Sequence, residues 1–234
     1  MRLMLLSSSR TDGTGFLEHA REPLQDFLAD APAGPLLFAP FAGIAIGYQS
    51  YTRRVADFMA GLDRDVIGLD EQPERLAEAA AIVVGGGNSF HLLKEMRERG
   101  LLNPVREQVR AGTAYIGWSA GSNLACPTIR TTNDMPIVDP GGFDALNLID
   151  FQINPHYIEG NPPGHQGETR AERLNEFLLA NPGKGVLGLP EGCRVVREGQ
   201  AVRMEGERTA WWFTEPGVAP ESVPHGGSLP SANG

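Results

Sequence analysis

Four apolar runs with almost no polar alternation constrain this chain most: RLMLLSS at 2–8, GPLLFAPFA at 34–42, AAIVVGGG at 80–87 and TAYIGW at 113–118. A strand that is apolar on both sides has to be covered on both sides, as parallel strands joined by crossover helices are. The stretches between the runs have apolar residues at helical spacing. GFLEHAREPLQDFLAD predicts a helix that buries Phe16, Leu17, Leu24, Phe27 and Leu28. SYTRRVADFMAGL predicts a second, with Ser50 marking its start, and QPERLAEAA a third. RDVIGLD reads as a further strand, and SFHLLKEMRERGLLNPVREQVRAG as one or two helices. Crossovers between parallel strands are right-handed. The pattern therefore predicts an α/β fold, a doubly wound, mostly parallel sheet with helices on both faces.

After about residue 125 the rhythm changes. DALNLIDFQINPHYI reads as a strand and ETRAERLNEFLLANP as an amphipathic helix, and residues 185–213 read as short strands with hairpin turns. One of those turns is Arg-Glu-Gly-Gln at 197–200. The last stretch is rich in Pro, Gly and Ser. Residues 1–217 are expected to form a single domain and 218–234 a disordered tail.

Charge narrows the partners. A formal net charge of -9 argues against an extended nucleic-acid or anionic-membrane surface, both of which need clustered Lys and Arg. An anionic substrate would have to be drawn in by local cations. Cys126 and Cys193 are the only cysteines and lack CxxC spacing, so no disulfide framework or thiolate metal site is expected. The opening MRLMLLSSSR is too short in its apolar part for a secretory leader, and no run approaches membrane-spanning length. A cytoplasmic protein is expected.

Gly117-Trp118-Ser119-Ala120-Gly121 follows a strand and precedes a helix-forming stretch. That is the context of a nucleophile elbow, a tight turn that exposes a serine hydroxyl at a helix N-terminus. The competing reading is a turn whose serine only caps the next helix. A second glycine-rich loop, Gly85-Gly86-Gly87-Asn88-Ser89, follows the run AAIVV. Its peptide N–H groups can approach a ligand closely, so Gly87 joins Ala120 as a candidate oxyanion donor. The loop has neither the lysine of a P-loop nor GxGxxG spacing, which weakens a phosphate-binding reading. Loops at the carboxyl ends of parallel strands converge on one crevice.

Serine needs a base. His19 lies on a predicted helix, His91 at a helix start, His225 in the tail and His165 in a Gly/Pro-rich loop. His156 stands where a strand-like run stops at a proline, the best place for a fixed imidazole. Two acids are candidates to orient it, Asp134 in RTTNDMPIV and Glu191 in VLGLPEGCRV. Spacing does not separate them.

Three blocks, GGGNSFHLLKEMRERGLL, YIGWSAGSNLACPTIRTTNDMPIV and INPHYIEGNPPGHQGETRAERLNEFL, resemble the peptidase E family of alpha-aspartyl dipeptidases. These are serine peptidases related to cyanophycinases, with a fold like that of class I glutamine amidotransferases. The likeness extends to about Trp212. It implies hydrolysis of dipeptides with an N-terminal aspartate, without metal or organic cofactor; a monomer or homodimer is expected. It implies Ser119 as nucleophile and His156 as base, with either Asp134 or Glu191 as the third member. An aspartyl substrate also brings a carboxylate and an ammonium. Arg170 and Arg173, three residues apart on one helix face, are expected to meet the carboxylate, with Arg130 as a further candidate. Asn88 is expected among the substrate-binding residues, and Asp134 or Glu159 beside the ammonium. A cyanophycinase-like or other serine acyl hydrolase, a true α/β-hydrolase and a non-catalytic binding module of the same shape are the competing readings. A glutamine amidotransferase is disfavoured, because its nucleophile would be cysteine.

Overall fold

The computed structural model describes residues 1–162, 164 and 166–229. Five parallel strands form the body of the main sheet: β1 (Arg2–Leu6), β2 (Leu36–Ala39), β3 (Val66–Gly68), β4 (Ala81–Val84) and β5 (Ala114–Trp118). Their order is β3-β2-β4-β5-β1. Beyond β1 the sheet continues antiparallel, as the hairpin β8 (Arg194–Glu198) and β9 (Ala201–Glu205). The hairpin turns at Gly199 with φ 61°, a left-handed conformation that glycine adopts without strain.

The unbroken apolar runs are explained by cover on both faces. Leu3, Leu5, Leu37, Ile82 and Val84 point to one side, where α3 (Ser89–Glu98), α4 (Leu102–Ala111) and the short α5 (Ala120–Ala125) lie. Met4, Leu6, Phe38, Val83 and Ile116 point to the other, against α1 (Arg21–Ala29) and α2 (Tyr48–Ala60). Burying one such side chain contributes roughly 1.5–3 kcal/mol, so an interior strand with apolar residues on both sides gains twice over. Among the described residues, no helix is long and apolar enough to cross a membrane.

Some expectations are corrected in detail. Helix α2 starts two residues before Ser50, after Gly47 at φ 74°. Residues 73–78 form a 3-10 helix rather than an α-helix, and another 3-10 turn, Glu18–Ala20, precedes α1. Phe16 is only partly buried.

The larger difference is a second sheet. Strands β6 (Gln152–Pro155) and β7 (Val186–Leu189) pair in parallel with each other, not with the main sheet. They are joined by α6 (Arg170–Ala180), and β10 (Ala210–Phe213) and β11 (Glu221–Val223) complete the order β11-β10-β7-β6. Leu187 and Leu189 face the main core, while Val186 and Phe213 pack with Leu174 and Leu178 of α6. A strand–helix–strand unit reads the same in sequence whichever sheet it joins.

The disordered tail expected from residue 218 is also corrected. Strand β11 lies within it, Val223 and Leu229 are buried, and Leu229 N–H donates to Val202 O at 2.9 Å. Two apolar anchors suffice to hold a segment whose composition is otherwise that of a loop. Residues 230–234 lie outside the described residues.

Candidate active site

The turn after β5 is possible only with small residues. A Cβ on Gly117 would lie 2.6 Å from the Gly121 carbonyl oxygen, and one on Gly121 would run into the Val84 carbonyl. Between them Ser119 takes φ 53° and ψ -112°, a sparsely populated conformation that costs on the order of 1–3 kcal/mol unless neighbours hold it. Its N–H donates to Leu6 O (3.1 Å), which also accepts from the Ser122 hydroxyl (2.7 Å). The Ser119 side chain makes no capping bond to α5, so the helix-cap reading fails. The hydroxyl instead lies 2.8 Å from Nε2 of His156.

His156 and Glu191 meet because β6 and β7 are parallel neighbours. Pro155 is in register with Leu189, so the residues just past both strand ends emerge side by side. His156 Nδ1 lies 2.8 Å from Glu191 Oε1. An ionised carboxylate only accepts, so Nδ1 carries the proton and Nε2 is left to accept from the Ser119 hydroxyl. The result is one chain of hydrogen bonds, Ser119–His156–Glu191. The His156 and Glu191 side chains are 38% and 40% exposed, so water and substrate reach them.

Asp134 is committed elsewhere. Its Oδ2 accepts from Ser89 N–H (2.7 Å), the Ser89 hydroxyl (2.7 Å) and the Thr132 hydroxyl (2.9 Å). It therefore fastens its loop to the first turn of α3, where a negative charge also suits the helix dipole. Asn88 has a related task. Its Oδ1 caps α3 by accepting from His91 N–H, and its Nδ2 donates to Met135 O (2.9 Å). Both ends of the amide expected to meet substrate are thus already engaged.

The glycine loop after β4 lies against the serine turn. A Cβ on Gly86 would come within 3.1 Å of Ser119 Cβ, and one on Gly87 (φ 140°) would run into the Ala42 carbonyl. Tyr51 pins this loop, accepting from Trp118 Nε1 (3.0 Å) and donating to Gly86 O (3.1 Å). Burial pushes its phenol up to about 12. Among the described residues, the N–H groups of Gly86, Gly87 and Ala120 find no hydrogen-bond acceptor.

The three arginines separate clearly. Arg170 is the first residue of α6, behind a capping box formed by Thr169 and Glu172. A cation at a helix N-terminus opposes the helix dipole, so Arg170 adds little to the stability of the fold there. It is partly buried, and no salt bridge joins it to any described residue. Burial, and then the neighbouring charge of Arg173, push its guanidinium below the usual range. Arg173 is exposed and faces Glu168 at 3.7 Å. Arg130 lies over the Phe143 ring and reaches Asn181, past the far end of α6. The eleven residues of α6, about 16 Å of helix, separate Asn181 from Arg170.

One residue of the site escapes sequence reasoning. Ser7, fully buried at the end of β1, accepts from His156 N–H (2.8 Å) and donates to Leu189 O (2.8 Å). One hydroxyl thus holds the backbone at His156, itself left-handed at φ 55°, and the strand that leads to Glu191. Ser7→Ala leaves that N–H without its partner, which costs about 1–3 kcal/mol. Thermal unfolding should show a loss of that order. Steady-state kinetics should show a fall in kcat with KM kept, and an unchanged kcat would limit the hydroxyl to stability. His19, placed by sequence on a helix, lies in the 3-10 turn before α1. Burial and the charge of Arg194 push its imidazole down, against an opposing pull from Glu191. Of the other histidines, His91 donates from Nδ1 to Phe41 O and His225 accepts from Gly206 N–H. His165 lies outside the described residues.

The sequence pattern of peptidase family S51 matches residues 3–205. Peptidase E of Salmonella newport (strain SL254) is 51% identical over 217 residues, covering 91% of this chain and 93% of that protein. Peptidase E of Salmonella gallinarum is 49% identical over 229 residues, covering 95% and 97%. The crystal structure of a peptidase from an acI-B1 Actinobacterium superposes with a TM-score of 0.73 at 17% identity, over 98% of this chain and 96% of that one. At that identity the likeness speaks for the fold alone.

Proposed function

The chain belongs to peptidase family S51 and is a serine-type peptidase, and from that premise we propose that it hydrolyses Asp-Xaa dipeptides through an acyl-enzyme on Ser119. The observation that carries the proposal is the hydrogen-bond chain from Ser119 Oγ through His156 to Glu191. In this reading the serine turn is a nucleophile elbow on a class I glutamine amidotransferase-like fold. The hydroxyl attacks the aspartyl carbonyl, and His156 Nε2 takes its proton. The developing oxyanion is met by the N–H groups of Gly87 and Ala120, which are free to donate. Nε2 then returns the proton to the departing amine, and the amino acid Xaa leaves. Water attacks the aspartyl ester with Nε2 again as base, aspartate leaves, and the serine is restored. Glu191 keeps the imidazole in the tautomer that accepts from serine and steadies it when charged.

Arg170 is the cation proposed for the aspartate side chain. A partly buried guanidinium with no partner among the described residues needs an anion, and Arg binds a carboxylate through two parallel hydrogen bonds. Arg173 is the weaker candidate, since Glu168 already lies beside it.

The test is a dipeptide panel. Asp-Leu should be cleaved, and Ala-Leu and Asn-Leu should fall by roughly 10⁴-fold or more in kcat/KM, because they leave the arginine unpaired. Glu-Leu should be poor, its carboxylate overshooting by one methylene, and acetyl-Asp-Leu should fail for want of an ammonium. Arg170→Ala should erase the preference for Asp over Asn while a serine-directed fluorophosphonate still labels the protein. Efficient cleavage of Ala-Leu by the unaltered enzyme would overturn the aspartyl reading.

A further inference from the structure

A cavity of about 510 Å³ opens at the same edge of the main sheet as Ser119. Its walls are the loop after β1 (Ser9 and Arg10), the loop after β2 (Ala42 to Ile46) and the loop after β4 (Gly86 to Asn88). Gly86 links it to the nucleophile, because that glycine packs against both Trp118 and Ser119. His156, Glu191 and Arg170 all come from the second sheet and its helix. The cavity is instead built on the main sheet, against the face that carries α2. A ligand held at Ser119 with one end on the side of the second sheet would have its other end on this side.

The lining has two characters. Phe16, Ile46 and the Tyr51 ring make an apolar floor, and Ile44, 47% exposed, adds an apolar rim. Arg10 and Arg54 stand at the same opening, both exposed, and neither forms an ion pair among the described residues. Arg54 extends over the Phe16 ring at 5.9 Å. Among the described residues no carboxylate lines this cavity, and Glu18 and Asp57 lie in the adjoining one that shares Phe16 and Arg54. On a chain of net charge -9 two cations at one opening, neither ion-paired among the described residues, make a local anion-attracting spot against the overall field. The C-terminal residue of a dipeptide brings the matching chemistry, one side chain and one carboxylate.

We propose that this cavity is the leaving-residue subsite: its floor takes the side chain of Xaa, and Arg10 and Arg54 take the terminal carboxylate. The proposal rests on the Asp-Xaa reading above. It also accounts for a preference for dipeptides, because a third residue would have to replace the carboxylate at the two guanidinium groups.

The test compares Asp-Leu with Asp-Leu amide, which lacks the terminal charge. The unaltered enzyme should favour Asp-Leu by roughly 10-fold or more, mostly in KM, the worth of a hydrogen bond to a charged group. In the Arg10→Gln/Arg54→Gln double variant Asp-Leu should fall close to the level of the amide, while the amide, which carries no charge to lose, falls much less. Both side chains are exposed, and circular dichroism checks that the variant folds. Equal cleavage of Asp-Leu and its amide by the unaltered enzyme would overturn the subsite, as would full discrimination in the double variant. If neither peptide is cleaved although Ser119 is labelled by a fluorophosphonate, the aspartyl reading falls, and the subsite falls with it. Those two failures are therefore distinguishable.

Discussion

Ser119→Ala should lower the turnover of Asp-Leu by roughly 10⁵-fold or more, the scale on which removal of a nucleophile acts when base and orienting acid remain. The change takes away one hydroxyl whose hydrogen bond runs only to His156, and the Ser119 N–H bond to Leu6 O persists. Thermal unfolding should therefore hardly move. His156→Ala should be comparably severe, and the double variant no worse than either single one, because members of one catalytic unit fail together. Residual turnover above a few per cent in Ser119→Ala would remove this serine from the mechanism.

Glu191→Gln carries the second large effect, a loss of roughly 10³- to 10⁴-fold in kcat with little change in KM. The amide is nearly isosteric, but its NH₂ group can donate to Nδ1 and so stabilise the tautomer that cannot accept from serine. Asp134→Asn should behave differently. Its carboxylate oxygen accepts three hydrogen bonds at the start of α3, so the expected result is lost stability of about 1–3 kcal/mol with a smaller effect on kcat. Kinetics and unfolding of both variants check the pair. The reverse pattern would assign the orienting role to Asp134.

The contrast between these two acids marks how far the sequence can be read. The strands β1, β2, β4 and β5 are legible because interior parallel strands are apolar on both sides, and that signal is local. The serine turn is legible for a similar reason, since the crowding between Gly117, Gly121 and Val84 shows as glycines around a single serine. Glu191 and Asp134 are not separable locally. Each stands in an irregular stretch, and only the parallel pairing of β6 with β7 puts Glu191, 35 residues on in the chain, beside His156. Strand adjacency is decided by packing across the second sheet, which the local pattern does not distinguish from the main one. The same non-local pairing hides Ser7, which is 149 residues before the backbone N–H it holds. It hides β11 too, because three residues of strand in a Pro/Gly-rich stretch are ordered by what they pair with. Asn88, expected among the substrate-binding residues, caps α3 through its side chain, a task asparagine performs in many loops.

The substrate proposals divide in the same way. Arg170 is visible in sequence as one of a pair on a helix. What distinguishes it from Arg173 is its partial burial and its position against the helix dipole, and both follow from where α6 begins. Arg10 and Arg54 lie in loops and helices 44 residues apart with no motif between them. They become a pair only through the cavity that they share.

Covalent labelling is the sharpest test of Ser119 as a nucleophile activated by His156. The protein is treated with a serine-directed fluorophosphonate, its intact mass is measured, and the modified peptide is sequenced by fragmentation. One adduct per chain is expected, carried on Ser119, absent in Ser119→Ala and strongly slowed in His156→Ala. An unaltered mass, or an adduct on any other residue with Ser119 free, would contradict this role of Ser119.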